Sequence, residues 1–183
     1  PAEAIKMVDH VSGEYYVSQT RYGPLVYAQL EIGEENSGRL ATMVRQRARQ
    51  IASDQNKEIV IVDGPPGVGC QTIASITGSD YVLIVTEASV AGWHDLQRIR
   101  ELVDYFGYPA GVCINRASLN PEMAVKINKH CQESGLEVLE EIPFSAEINY
   151  ALWNRKTIGE ALEGEIPRKI ESLWSKICAR LEI

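Results

Sequence analysis

The chain is short of several things that would each point to a function class. Its four cysteines, Cys70, Cys113, Cys131 and Cys178, form no C-x-x-C pair, so neither a zinc site nor a disulfide framework is legible. Three histidines, His10, His94 and His130, are scattered with no second ligand at helical spacing, which makes them surface or structural residues. Positive charge is in deficit: 18 Lys and Arg against 25 Asp and Glu give a net charge of −7, which argues against a nucleic-acid partner, since phosphate contacts require a basic surface. Apolar runs such as YVLIV are far shorter than a membrane span, and no charged-then-apolar leader opens the chain, so no stable membrane insertion and a reducing, cytoplasmic location are expected. No G-x-x-x-x-G-K-[ST] occurs anywhere, so these residues supply no phosphate loop of that kind.

What is present is an ordinary globular composition, 45% hydrophobic and 23% charged over 183 residues, enough for one well-buried core. One domain over 1–183 is expected, with a β-rich segment at 1–32 and an α/β core at 33–183. IKMVDHV, EYYVSQT and PLVYAQLEI are β-rich runs separated by Ser12-Gly13 and Tyr22-Gly23-Pro24, which predicts a hairpin leading into a core strand. From Asn36 the period changes. Leu40, Met43, Val44, Ala48 and Ile51 recur at helical spacing with Asn36 or Ser37 as N-cap, and that helix ends near Asp54. Alternation follows: strand 59–62, short helix 71–76, strand 81–86, helix 92–106, strand 111–115, helix 121–133 and a strand around 136–142. Continuous apolar strands alternating with helices predict a doubly wound α/β fold with a mostly parallel sheet, preceded by a β-hairpin.

Ligands of such sheets sit outside the carboxyl ends of the strands. Those ends read DGPPGVG, TEASVAG, NRASLNP and PFSAE in this order. Turn formation alone accounts for Gly, Pro, Asn and Asp in each loop singly, but not for their order. The first loop follows the run EIVIV with Asp63, the position at which phosphate-transferring enzymes carry a magnesium-coordinating carboxylate.

The ordered set D-G-P-P-G, V-T-E-x-x-V-x-G-x-x-D-L, C-I-N-R and I-P-F resembles the C-terminal half of the MinD/ParA superfamily of deviant-Walker P-loop ATPases. RYGPLVYAQLEIGEENSGRL resembles the subgroup whose ATPase domain contains an inserted ferredoxin, and PAEAI resembles the end of a bacterial ferredoxin, where proline follows the last cluster cysteine. The resemblance runs from Pro1 to about Ile158. It implies that the P-loop NTPase, Rossmann-like fold is incomplete here, that the phosphate loop and the cluster cysteines lie ahead of Pro1, and that this portion alone hydrolyses no ATP, whereas the parent protein is a hydrolase. By the same resemblance, Asp63 holds Mg2+ through water and Gly67 supplies the backbone amide that senses the terminal phosphate of ATP. Asn115 reads the adenine edge with its carboxamide, and Arg116 and Pro143 line the base pocket. Ser118 stands where N-K-x-D proteins carry the aspartate that reads guanine, which favours ATP over GTP.

The resemblance further implies a homodimer closed around ATP, an iron–sulfur cluster in the missing insertion, and an iron–sulfur or redox protein as partner. A non-catalytic Rossmann-like binding or dimerisation scaffold is the alternative. Cys70, beside the switch loop, reads as a small apolar residue rather than a cluster ligand. Arg39, Arg45, Arg47 and Arg49 read as a solvated helix face. The stripe Ile166, Ile170, Leu173, Trp174, Ile177 and Leu181 of the last helix reads as packing onto the sheet rather than a membrane anchor.

Overall fold

The computed structural model describes residues 10–32 and 37–183, so the PAEAI start, most of IKMVDHV and the candidate cap Asn36 lie outside the described residues. The chain forms two compact units, Pro1–Thr77 and Gly78–Ile183.

In the first unit, β1 (Gly13–Thr20) and β2 (Gly23–Leu30) make the expected antiparallel hairpin, with Tyr16 opposite Tyr27 and their rings stacked 5.3 Å apart. Pro24, Val26, Ala28 and Leu30 are half-buried and alternate with exposed Leu25, Tyr27 and Gln29, the period of two that a strand covered on one face requires. The covering element is α1 (Ser37–Asp54), which packs on β2 and on α2 (Cys70–Ile76) and buries Ile51 and Ala52. A Cβ on Gly13 would lie 2.8 Å from the Gln29 carbonyl oxygen and 3.1 Å from a Leu40 methyl, so the hairpin meets the helix with no room for a side chain there. PLVYAQLEI, expected as the core strand that the hairpin leads into, is instead the hairpin's own second strand, and a third strand of its sheet is not found among the described residues. Nor is the strand expected at 59–62: the run between α1 and α2 joins no ladder there. Its apolar side chains have strand propensity, but a ladder also needs a neighbour, and Ile59, Val60, Ile61 and Val62 are 38%, 38%, 78% and 40% exposed.

In the second unit, β3 (Val82–Glu87), β4 (Ala110–Asn115) and β5 (Glu137–Ile142) form a parallel sheet in the order β3-β4-β5. The crossovers are α3 (Val90–Phe106) and α4 (Pro121–Glu133). Both helices start where local chemistry tells them to. Ser89 Oγ accepts from the Gly92 amide at 3.0 Å, and Asn120 Oδ1 accepts from the Met123 amide at 3.1 Å with Pro121 beginning the helix. Gly107, at φ 70, ends α3 in the left-handed conformation. The central strand is sealed: Val112, Cys113 and Ile114 are at most 1% exposed, and Leu96 and Val103 of α3, Ile127 and Cys131 of α4, and Leu139 of β5 are likewise at most 2% exposed. Each such aliphatic side chain contributes about 2 kcal/mol by leaving water.

Two short helices that the sequence reading did not anticipate follow, α5 (Glu147–Trp153) and α6 (Ile158–Ala161), the latter opened by a Thr157/Glu160 capping box. The terminal helix α7 (Glu165–Leu181) docks on β5, as expected of its apolar stripe, but Trp174 stays 40% exposed. A polar row completes the docking. Lys169 Nζ and Ser172 Oγ donate to Glu140 at 3.0 and 2.8 Å, Lys176 donates at 3.3 Å, and Arg180 pairs with Glu137 at 2.6 Å.

Candidate functional site

In a parallel sheet all strands end on one side. Glu87 is paired with Asn115, and Asn115 with Ile142, so the last residues of β3, β4 and β5 make a single rim that also carries Arg116 and Pro143. The residue after β4 is held tightly. Arg116 has φ 54, uncommon for a residue with a side chain; its amide donates to Asn115 Oδ1 at 2.9 Å, and its carbonyl accepts from the Leu119 amide at 3.0 Å. Ser118 Oγ accepts from the Phe144 amide at 2.9 Å and so ties the loop after β4 to the loop after β5. The position that lacks a guanine-reading carboxylate therefore has a structural use. Asn115 and Pro143 are half-buried and Arg116 is exposed.

Pro143 also lines a cavity of about 240 Å³ with Phe144, Ser145, Glu147, Leu162 and Ile166, which Asn115 and Arg116 do not reach. A network missed by sequence reasoning crosses the same rim. Glu87 accepts from the Ser89 hydroxyl at 3.0 Å through Oε1 and faces Arg116 Nη1 at 3.5 Å through Oε2. A Cβ on Gly92 would collide with the Glu87 carbonyl oxygen, so α3 can approach the end of β3 this closely only with glycine at that position.

Asp63 and Gly67 share a loop in the first unit, between the exposed 59–62 run and α2. Asp63 is exposed. Gly67 has φ +84, which L side chains rarely adopt, and a Cβ at Gly67 or Gly69 would meet nothing within 4 Å. The backbone of this loop is thus open on those sides to an approaching group. Behind it the Thr72 hydroxyl, 4% exposed, has no hydrogen-bond partner among the described residues. Cys70 is exposed rather than buried, which corrects its reading as a small core residue, and among the described residues no three His, Cys, Asp or Glu side chains gather as a metal site.

The most strongly shifted titratable groups lie away from these residues. Burial, with the Glu140 charge adding to it, pushes the Cys113 thiol up to about 11. Burial also works against the charged form of Glu140, but hydrogen bonds from Ser172, Lys169, the Glu141 amide and Lys176 outweigh it and hold the carboxyl down at about 2. Both belong to the packing of β4, β5 and α7, where a perturbed group marks structure rather than chemistry.

No family model matches the chain. The chain is 25% identical over 154 residues to an uncharacterized protein of Methanocaldococcus jannaschii, MJ0578, covering 84% of this chain and 50% of that protein. To an uncharacterized ATP-binding protein of the same organism, MJ0685, it is 23% identical, covering 87% of this chain and 63% of the relative. The chain spans roughly half the length of the curated relatives it matches. Among solved structures it superposes on the MinD cell division protein of Aquifex aeolicus with TM-score 0.66 at 16% identity, covering 89% of this chain and 68% of that one. It superposes on the septum site-determining protein MinD of Pyrococcus horikoshii, solved with Mg-ADP, with TM-score 0.59 at 16% identity, covering 76% and 56%. The fold is that of MinD, an α/β P-loop NTPase fold.

Proposed function

We propose that the chain is the switch-bearing and adenine-reading part of a MinD-like ATPase that works as a homodimer. The observation that carries the reading is the loop after Asp63. Its Gly67 stands at φ +84 with space where a Cβ would be, the geometry that lets a main-chain amide approach an anion. The MinD fold and the likeness to a protein described as ATP-binding support the same reading. So does the exposed run at 59–62, whose four apolar residues suit a strand flanked by neighbours better than a coil in water.

Taken unit by unit, the residue types suit the two ends of a magnesium nucleotide. Asp63 offers an exposed carboxylate to hold Mg2+ through water, and the Asn115 carboxamide offers a donor and an acceptor to a purine edge. Arg116 and Pro143 flank Asn115 on the rim and bound the base. The magnesium ion, when bound, offsets charge on the phosphates. The residues of this chain orient the nucleotide at its base and report on its terminal phosphate through Gly67. Hydrolysis further requires cationic and amide groups around the transferred phosphoryl, which on this reading come with the phosphate loop of a longer protein.

Coupling to iron–sulfur clusters, electrons or metal ions, with a redox protein as partner, is the finer part of the proposal and rests on PAEAI and on RYGPLVYAQLEIGEENSGRL alone. The test is ATP turnover. The 183 residues alone are expected to hydrolyse ATP no faster than buffer, and the longer protein to do so until Asp63→Ala removes the activity. Turnover by the isolated chain that Asp63→Ala abolishes would overturn the division of labour; a longer protein indifferent to Asp63→Ala would overturn the assignment of Asp63.

A further inference from the structure

The Glu87 network goes beyond the proposed function, on which it rests for its ligand. We infer that Glu87 is a positioning residue for base recognition, joining the loops after β3 and β4 and orienting the Arg116 guanidinium beside Asn115. Glu87 stands at the last ladder position of β3, directly opposite Asn115. One carboxylate oxygen accepts from Ser89, whose own oxygen caps α3, and the other faces Arg116. The chain of contacts therefore runs from the first turn of α3, through Ser89 and Glu87, to the residue beside the base reader.

Arg116 needs such a partner. Its backbone is fixed by Asn115 and Leu119, but its side chain is 56% exposed, and Glu87 is its ion-pair partner on the rim. A pair this exposed adds little to stability, so its use lies in geometry. With its charge offset by Glu87, the guanidinium presents a flat face suited to stacking on a purine, which a lysine ammonium does not provide.

The experiment measures ATP and ADP affinity, and steady-state turnover, in the full-length protein carrying this chain. It compares wild type with Glu87→Gln, Arg116→Lys and the double variant, each checked by its melting temperature. The expected result is about a fivefold loss of affinity for ATP and ADP alike, a matching rise in KM at unchanged kcat, and no further loss in the double variant. Unchanged affinity in Glu87→Gln, additive losses, or a loss confined to ATP would overturn the inference, the last because it would put the pair at the terminal phosphate. Should Glu87→Gln melt early, Glu87→Asp, which keeps the charge, serves in its place and should lose less affinity than Arg116→Lys; equal loss would count against positioning. A wild type that binds no nucleotide would overturn the inference together with the functional reading, and is distinguished from these by the wild-type titration alone.

Discussion

The runs at 59–62 and 82–85, IVIV and VLIV, are almost the same in composition and opposite in fate. Val82 and Ile84 are 9% and 6% exposed in a strand that pairs along its length with β4, whereas every residue of 59–62 is at least 38% exposed and joins no ladder among the described residues. Local sequence sets the propensity for a strand, and a neighbour decides whether one forms. The difference also separates the candidate residues of the two units. Asn115, Arg116 and Pro143 stand on a rim fixed by three paired strands, and Asp63 and Gly67 follow a run that joins no sheet among the described residues.

Amide hydrogen exchange gives the largest expected contrast. In the 183-residue chain, the amides of Val112, Cys113 and Ile114 should exchange at least about a thousandfold more slowly than those of 59–62, because they open only with their unit. Slow exchange at 59–62 in this chain would mean that the run is hydrogen-bonded after all. Next comes packing. Ile127→Ala, at a position with 0% exposure, should cost about 3 kcal/mol in urea unfolding, whereas Ile61→Ala, at 78% exposure, should change stability by less than about 0.5 kcal/mol. Equal costs would mean that 59–62 is covered.

The docking of α7 has a pH signature. The Glu140 carboxyl is held at about 2 against an ordinary value of 4.5, so the unfolded chain takes up a proton there before the native one does. The stabilisation is fully present above about pH 4.5 and is lost as the pH falls towards 2. Glu140→Gln should flatten that acid limb of the melting temperature, and an unchanged limb would remove Glu140 from the α7 docking. Smaller still is the expected effect at the rim: Asn115→Ala in the longer protein should weaken ATP binding by about 1 to 2 kcal/mol. Unchanged affinity would take Asn115 out of the base site.

Much of the second unit was legible because its signals are local. Asn120-Pro121 announces α4, whose bounds match the sequence reading residue for residue, and the runs before Glu87 and Asn115 sit between turn signals. The short helices α5 and α6 were not read, although Thr157 and Glu160 spell a capping box, because segments of seven and four residues show too little periodicity. Spacing alone places Trp174 in the apolar stripe. Spacing does not reveal that Lys169, Lys176 and Arg180 pair with Glu140 and Glu137 of β5, nor that Trp174 stays 40% exposed. At the candidate site, the loop residues were found by motif, whereas the Glu87–Ser89–Arg116 contacts were not, since they join two loops that come together only when β3 pairs with β4.

On the proposed function, Gly67 senses the terminal phosphate and passes that information to a dimer. Light scattering of the longer protein, blocked in hydrolysis, compares wild type and Gly67→Val with ATP and with ADP. At φ +84 a branched side chain is strained, and it would stand in the way of close approach by the main chain to a phosphate. Wild type should dimerise with ATP and not with ADP, and Gly67→Val should fold and bind ADP yet stay monomeric with ATP. Equal ATP-induced dimerisation of the two proteins would contradict it.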